Sequence, residues 1–202
     1  MVFLSTTLTE EQIRRAEEFH GHWCPGLAWG LRAAEWALRE VGRAGDEDVV
    51  TVAETDMCGV DALQVLLSCT AGKGNLLIRN RGKVAFSFYR RGDGVSLRLV
   101  ARTLPDPAEE ETRTLRENPC RTAEQEARLG ELRAARARRI LELPLEELFE
   151  RKETTEPVPP VAPMEPSVVC AACGEKVMET HARLRRGRVL CEACFETEMP
   201  RK

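Results

Sequence analysis

No stretch of this sequence stays apolar for anything near the ~20 residues that a membrane-crossing helix needs. The apolar start Met1–Leu4 is followed too soon by Thr9-Glu10-Glu11-Gln12 to be the continuous core of a secretory leader. The expected location is therefore cytoplasmic, where paired cysteines more often bind metal than form disulfides. Charge of one sign is also missing. The net charge is −3, with 23 basic against 27 acidic residues through position 156 and 7 against 6 from 157 onward. That balance gives no electrostatic footprint for nucleic acid or an anionic membrane. Lysine is scarce, 5 against 25 arginines, a bias that by itself points to no function. There is no internal repeat. A phosphate loop is absent too: Thr70-Ala71-Gly72-Lys73-Gly74-Asn75 lacks the first glycine of a Walker A motif and the Ser/Thr after its lysine, and it feeds a strand. It reads as a tight turn, with Lys73 as an outlying candidate to face an anion.

What is present is a chain of 202 residues, 43% hydrophobic and 31% charged, enough for one well-cored domain and a small second one. Thr9-x-x-Gln12 is a capping box opening a helix whose buried face carries Ile13, Ala16 and Phe19/His20, and Gly21 stops it. Pro25 suits the first turn of the next helix, which runs through Leu27, Leu31, Ala34 and Leu38 to Gly42. Val49–Ala53 reads as a buried strand and Val60–Ser68 as a short helix. Asn75–Arg79, Val84–Tyr89 and Val95–Val100 read as strands joined by the turns Asn80-Arg81-Gly82 and Gly92-Asp93-Gly94, which predicts an antiparallel meander. Two further helices follow, one from Asp106-Pro107 to near Asn118-Pro119 and one opened by the capping box Thr122-x-x-Gln125 and ended by Pro144. Helices around a mostly antiparallel sheet make an α+β core, 1–156. A proline-rich, semi-rigid linker, 157–166, separates it from a tail, 167–202, too small to fold without a staple.

Eight cysteines supply the chemistry. Cys170-x-x-Cys173 and Cys191-x-x-Cys194 have the spacing of a four-thiolate zinc site. Gly174 lets the chain bend behind the first pair, Val177–Leu184 and Arg188–Leu190 flank the turn Arg185-Arg186-Gly187 as a hairpin, and Cys191 and Cys194 open a last helix. The order knuckle, hairpin, helix predicts a treble-clef-like finger. Four thiolates leave no open position, so the role is structural. His181 is a spare ligand that the site does not need. Arg183, Arg185, Arg186 and Arg188 at the hairpin tip read as solvated side chains.

The other four are Cys24, Cys58, Cys69 and Cys120. Cys24 precedes Pro25 at the cap of a helix, where the positive helix end favours a thiolate. His22 lies two residues away in a turn and can converge on the same point. Cys58 sits between a strand end and a helix start, with Asp56 and Asp61 nearby. His22, Cys24 and Cys58 make a mixed nitrogen–sulfur site with an open position for a transition metal, zinc, iron or nickel. The competing reading is structural: unpaired cysteines are usually buried and act as small apolar side chains. His20 and Cys69 are outlying candidates. A helix from 58 to 69 holds its ends about 16 Å apart at ~1.5 Å per residue, which keeps Cys69 from the same metal within one protomer. Cys120 reads as a loop residue.

These residues resemble a known family. Phe19-His20-Gly21-His22-x-Cys24-Pro25-Gly26, Glu54-Thr55-Asp56-x-Cys58-x-x-Asp61-Ala62-x-Gln64-Val65, Cys69-Thr70-x-Gly72-Lys73-Gly74-Asn75-Leu76 and Gly82-Lys83-x-Ala85-Phe86-x-Phe88-Tyr89 follow its signatures in order, and the tail cysteines complete it. The family is FmdE of formylmethanofuran dehydrogenase, and Ser68 stands where it usually has glycine. The resemblance implies an α+β core, an auxiliary treble-clef zinc finger, a homodimer and a metal-associated cleft at His22, Cys24 and Cys58. It also implies association with the molybdenum or tungsten enzyme of methanogenesis. It does not imply that this chain carries out the dehydrogenation, since no iron–sulfur array or pterin-binding domain fits in its length.

The leading expectation is thus a metal-binding accessory subunit or maturation factor within a larger redox complex. A small stand-alone metalloenzyme using the same site as a Lewis acid is the second. A regulator binding nucleic acid or polymerase through the finger, by way of Arg185 and Arg186, is the third, and the acidic balance argues against it.

Overall fold

The computed structural model describes residues 6–154 and 156–198. The apolar start Met1–Leu4 lies outside them. The chain divides between Val161 and Ala162 into two compact units, each described by itself.

In the first unit, α1 (Glu10–His20) begins at the capping box, with Thr9 and Gln12 bonding reciprocally, and ends at Gly21, whose φ of 89° allows a left-handed cap. Helix α2 (Pro25–Glu40) is buried over most of its surface from Leu27 to Ala37 and packs against both α3 (Gly59–Leu67) and α5 (Ala123–Glu142). Its two buried charges, Arg32 and Glu35, pair with each other. Arg32 also donates to the carbonyl of Leu143 at 2.7 Å, and Glu35 also accepts from Thr6 and Thr7. The helices cover one face of a five-stranded sheet, where Phe86, Phe88, Leu97 and Leu99 meet Leu27, Leu31, Leu63 and Ile140 in one core.

The strands are β1 (Val49–Ala53), β2 (Leu76–Ile78), β3 (Ala85–Arg90), β4 (Ser96–Ala101) and β5 (Phe149–Lys152), in the spatial order β2-β1-β3-β4-β5. The sheet is antiparallel apart from β1 and β2, which run parallel. The expected three-strand meander is therefore corrected. β3 and β4 form the hairpin, but β2 lies on the far side of β1, because α3 acts as a crossover between β1 and β2. The segment 79–83 then crosses the end of β1. The N–H groups of Arg81 and Lys83 both donate to the carbonyl of Glu54, at 2.9 and 3.2 Å, and β3 starts beyond it. Strand β5 had no alternation to announce it. It follows α6 (Leu145–Leu148), which Pro144 caps, while α4 (Glu109–Glu117) packs on α5.

The opposite sheet face, with Val50, Val52 and Tyr89, is also buried. The segment expected to be linker is fastened to this unit at its start. Arg91 donates to the carbonyls of Pro159 and Pro160 at 3.2 and 2.9 Å, and Glu156 pairs with Arg79 and Arg81.

The second unit has two short hairpins and a helix. β6 (Ser167–Val169) pairs with β7 (Lys176–Met178), and β8 (Arg183–Arg185) pairs with β9 (Arg188–Leu190) through Arg186 and Gly187, both at positive φ. The single long strand expected from Val177 to Leu184 is interrupted by a 3₁₀ turn, Glu179–His181, so its first part pairs back onto β6. Helix α7 (Glu192–Glu198) closes the order knuckle, hairpin, helix. No helix among the described residues is long and apolar enough to cross a membrane.

Candidate metal centre

Two helix starts and one helix end meet at a single point in the first unit. Cys24 is the N-cap of α2, in extended conformation, and its sulfur accepts the N–H of Leu27 at 3.3 Å. Cys58 is the N-cap of α3 and spends no side-chain bond on capping, which leaves its sulfur free to point elsewhere. The two helices come together because glycine faces glycine. A Cβ added at Gly30 would lie 2.1 Å from the carbonyl oxygen of Gly59, and one at Gly26 would lie 3.0 Å from Cβ of Cys58. Removing both side chains lets the backbones touch and brings the two thiols beside each other.

His20, in the last turn of α1, supplies the third group. Its Nε2 lies 3.7 Å from the sulfur of Cys24, and its Nδ1 lies 2.7 Å from a carboxylate oxygen of Asp61 in the first turn of α3. Gln64 donates to the other oxygen of Asp61 at 3.3 Å. One ligand atom from each of His20, Cys24 and Cys58 falls within 4.8 Å of the others. A carboxylate holding one imidazole nitrogen aims the other at the metal and fixes its tautomer, the arrangement usual around ligating histidines. Burial pushes the Cys58 thiol above its ordinary range, and the neighbouring Cys24 adds to the shift. A bound cation would reverse that cost by stabilising both thiolates.

The imidazole in this group is therefore that of His20, not the expected His22. His22 is exposed and its ring lies against that of His20, with centroids 4.5 Å apart. Spacing along the chain favoured the nearer histidine, whereas Gly21 turns the backbone so that the helical one faces the cysteines. Cys69 stands apart from the group: it is fully buried, and its thiol donates to the carbonyl of Val49 at 3.5 Å, a packing role. Cys120 is exposed in a loop. Lys73 lies away from this group and donates to the carbonyl of Asp46 at 3.0 Å and to the Ser68 hydroxyl at 3.3 Å.

The cysteine pair opens on a cavity of about 650 Å³. His22, Trp23 and Trp29 line it on the α2 side, and Arg116, Arg133 and Arg136 on the side of α4 and α5. Nothing in the local sequence pattern marked these arginines or the glycine contact. Asp61 stands where its nearness to Cys58 in the sequence put it, three residues on in the first turn of α3.

In the second unit the ligand atoms of Cys170, Cys173, Cys191 and Cys194 form another group within 4.8 Å. Cys170 is buried, and its thiol is held down to about 6 by the backbone N–H of Cys173, with those of Cys191 and Ala172 adding. Cys194 is pushed up to about 12 by its hydrogen bonds to Cys191 and Cys173. Four sulfurs forced together divide their protons unequally, and a divalent cation relieves this by taking all four as thiolates. The group is compatible with a zinc-finger-like site. His181, in the exposed 3₁₀ turn, is not part of it.

The chain is 32% identical over 195 residues to a probable S-adenosyl-L-methionine-binding protein of Archaeoglobus fulgidus, a match covering 89% of this chain and 51% of that protein. The chain thus spans about half the length of the curated relative it matches. The crystal structure of a tungsten formylmethanofuran dehydrogenase FmdE-like protein from Syntrophus aciditrophicus superposes with a TM-score of 0.61 at 22% identity, covering 94% of this chain and 92% of that one, which shows the shared fold. Residues 19–150 match the family described as FmdE, molybdenum formylmethanofuran dehydrogenase operon. That match spans more than half of the sequence, and the chain belongs to the FmdE family.

Proposed function

We propose that the chain is a metal-binding accessory subunit of a molybdenum- or tungsten-dependent redox enzyme of the formylmethanofuran dehydrogenase type. His20, Cys24 and Cys58 hold a transition metal, and Cys170, Cys173, Cys191 and Cys194 hold a structural zinc. The observation that carries this reading is the three-ligand group at the cavity, with Asp61 already bonded to the far nitrogen of His20. Three protein ligands leave a coordination position open toward the cavity, and a metal bound there supplies Lewis acidity to whatever occupies it. The protein's own part is positional. Asp61 holds the imidazole, the N–H of Leu27 stabilises the Cys24 sulfur, and Trp23 and Trp29 keep an apolar wall beside it.

Elemental analysis of protein purified anaerobically tests this. Two metal equivalents per chain are expected, with one lost in Cys24→Ala and the other in Cys191→Ser. A single equivalent indifferent to Cys24→Ala would refute the core site. Co-purification of the native protein with a molybdenum or tungsten protein tests the accessory role.

The name of the Archaeoglobus relative brings a second reading, binding of S-adenosyl-L-methionine. The aromatic faces of Trp23 and Trp29 would attract its sulfonium. Three arginines in the same lining would repel it, and half of that relative lies outside the match. Equilibrium dialysis with S-adenosyl-L-methionine decides between the two.

A further inference from the structure

The cavity beside Cys24 and Cys58 has a second wall that metal binding does not use. Arg116, in the last turn of α4, and Arg133 and Arg136, one turn apart on α5, face into it. The lining contains no Asp or Glu, although acidic residues outnumber basic ones 33 to 30 in the chain. Asp106 takes Arg136 at 3.2 Å. Arg116 and Arg133 enter no salt bridge among the described residues, and Glu126, the carboxylate that feels Arg133, is paired with Arg121. Guanidinium groups without a carboxylate partner beside an apolar cavity are suited to a carboxylate or phosphate.

Gly130 gives an independent sign. It lies inside the 20-residue helix α5, where glycine is the weakest helix former apart from proline. Its backbone is not left-handed, and a Cβ built on it meets nothing within 4 Å, so neither conformation nor packing calls for glycine. Gly130 lines the cavity.

We infer that the cavity binds an organic anion. Arg116 and Arg133 take its carboxylate or phosphate, Trp23 and Trp29 take a flat apolar body, and Gly130 leaves room for that body. The proposal rests on the reading of this cavity as the working site, and it adds the ligand class.

Calorimetric titration at pH 7 with 2-naphthoate, 2-naphthyl phosphate and the neutral 2-naphthamide tests it. At least one anion should bind roughly tenfold or more tighter than the amide, as expected for charge-assisted hydrogen bonds. Whichever anion leads identifies the head group. The Arg116→Gln, Arg133→Gln double variant should erase the preference. Gly130→Leu should weaken all three ligands without lowering the melting temperature, which separates a filled cavity from a damaged fold. Equal binding of amide and anions, a preference that survives the double variant, or no heat from any ligand at millimolar concentration would each overturn the proposal. Metal content is read separately: a chain lacking the core metal but keeping the anion preference would sink the metal reading alone.

Discussion

The two cysteine clusters use similar donors and are built in opposite ways. In the second unit all four ligands come from two short knuckles of local chain, and only Cys170 and Leu190 are buried among its described residues. The sulfurs stand where a core would be, and the proposed zinc would hold the unit together there. In the first unit the ligands come from three helices that a full hydrophobic core already positions, and the group sits at the edge of a cavity. A site that makes its fold has no spare coordination position. A site that a fold makes can leave one open.

The comparison breaks most visibly if metal is withdrawn. Structural zinc sites contribute on the order of 10 kcal/mol to folding, so Cys191→Ser or a strong chelator should unfold the second unit outright. Limited proteolysis should then cut throughout 167–198 while the first unit keeps its melting transition. Survival of the second unit without metal would contradict its dependence on the cluster.

The next largest effect falls on the glycine contact. Gly30→Ala places a methyl group against the backbone of Gly59. Overpacking of this kind costs about 1–3 kcal/mol, and each kcal/mol lowers the melting temperature of a domain this size by roughly 2–4 °C. Because α3 must move away, Gly30→Ala should also lose the core metal while the second unit keeps its own. A variant that retains the core metal would show that the two thiols do not depend on this approach.

How far these features could be read from sequence follows from how local they are. The capping boxes at Thr9 and Thr122, Pro25 at the start of α2 and the knuckle cysteines are set by neighbours three or four residues away, and they stand where the pattern put them. The parallel pairing of β1 with β2 is decided by the crossover of α3, and turn residues at 80–82 look the same whether they close a hairpin or carry the chain across β1. Strand β5, Phe149–Lys152, buries only Phe149 and so has no alternation. The choice of His20 over His22 depends on Asp61, 41 residues away, which holds the ring. The arginine wall depends on α5 folding back over α2, a contact that no local period reports.

A smaller change isolates the imidazole. Asp61→Asn keeps the shape at His20 but removes the charge, and loss of such a partner costs about ten- to a hundredfold in metal affinity. Competition with a chromogenic chelator should show that loss in the first unit and none in the second. Equal loss in both would mean that the effect is not the orientation of His20.

The smallest effect is a dependence on pH, and its sign is opposite with and without metal. Burial raises the Cys58 thiol above the ordinary 9.0, with Cys24 adding, and burial likewise raises Cys69. The unfolded chain therefore ionises these thiols first as pH rises. Their contribution to stability is complete below about pH 9 and is lost as pH climbs through the folded-state values. Metal-free protein should melt at falling temperature above that pH. Since metal displaces the protons of both ligating thiols, core affinity should instead rise with pH over the same range. Cys69→Ala removes the buried thiol outside the site and Cys24→Ser removes the neighbour of Cys58, so each should shrink the metal-free decline. Only Cys24→Ser should also reduce the steepness of the pH-dependent gain in metal affinity, leaving the share of Cys58. A gain of unchanged steepness in Cys24→Ser would move the metal away from the helix starts where the two thiols meet.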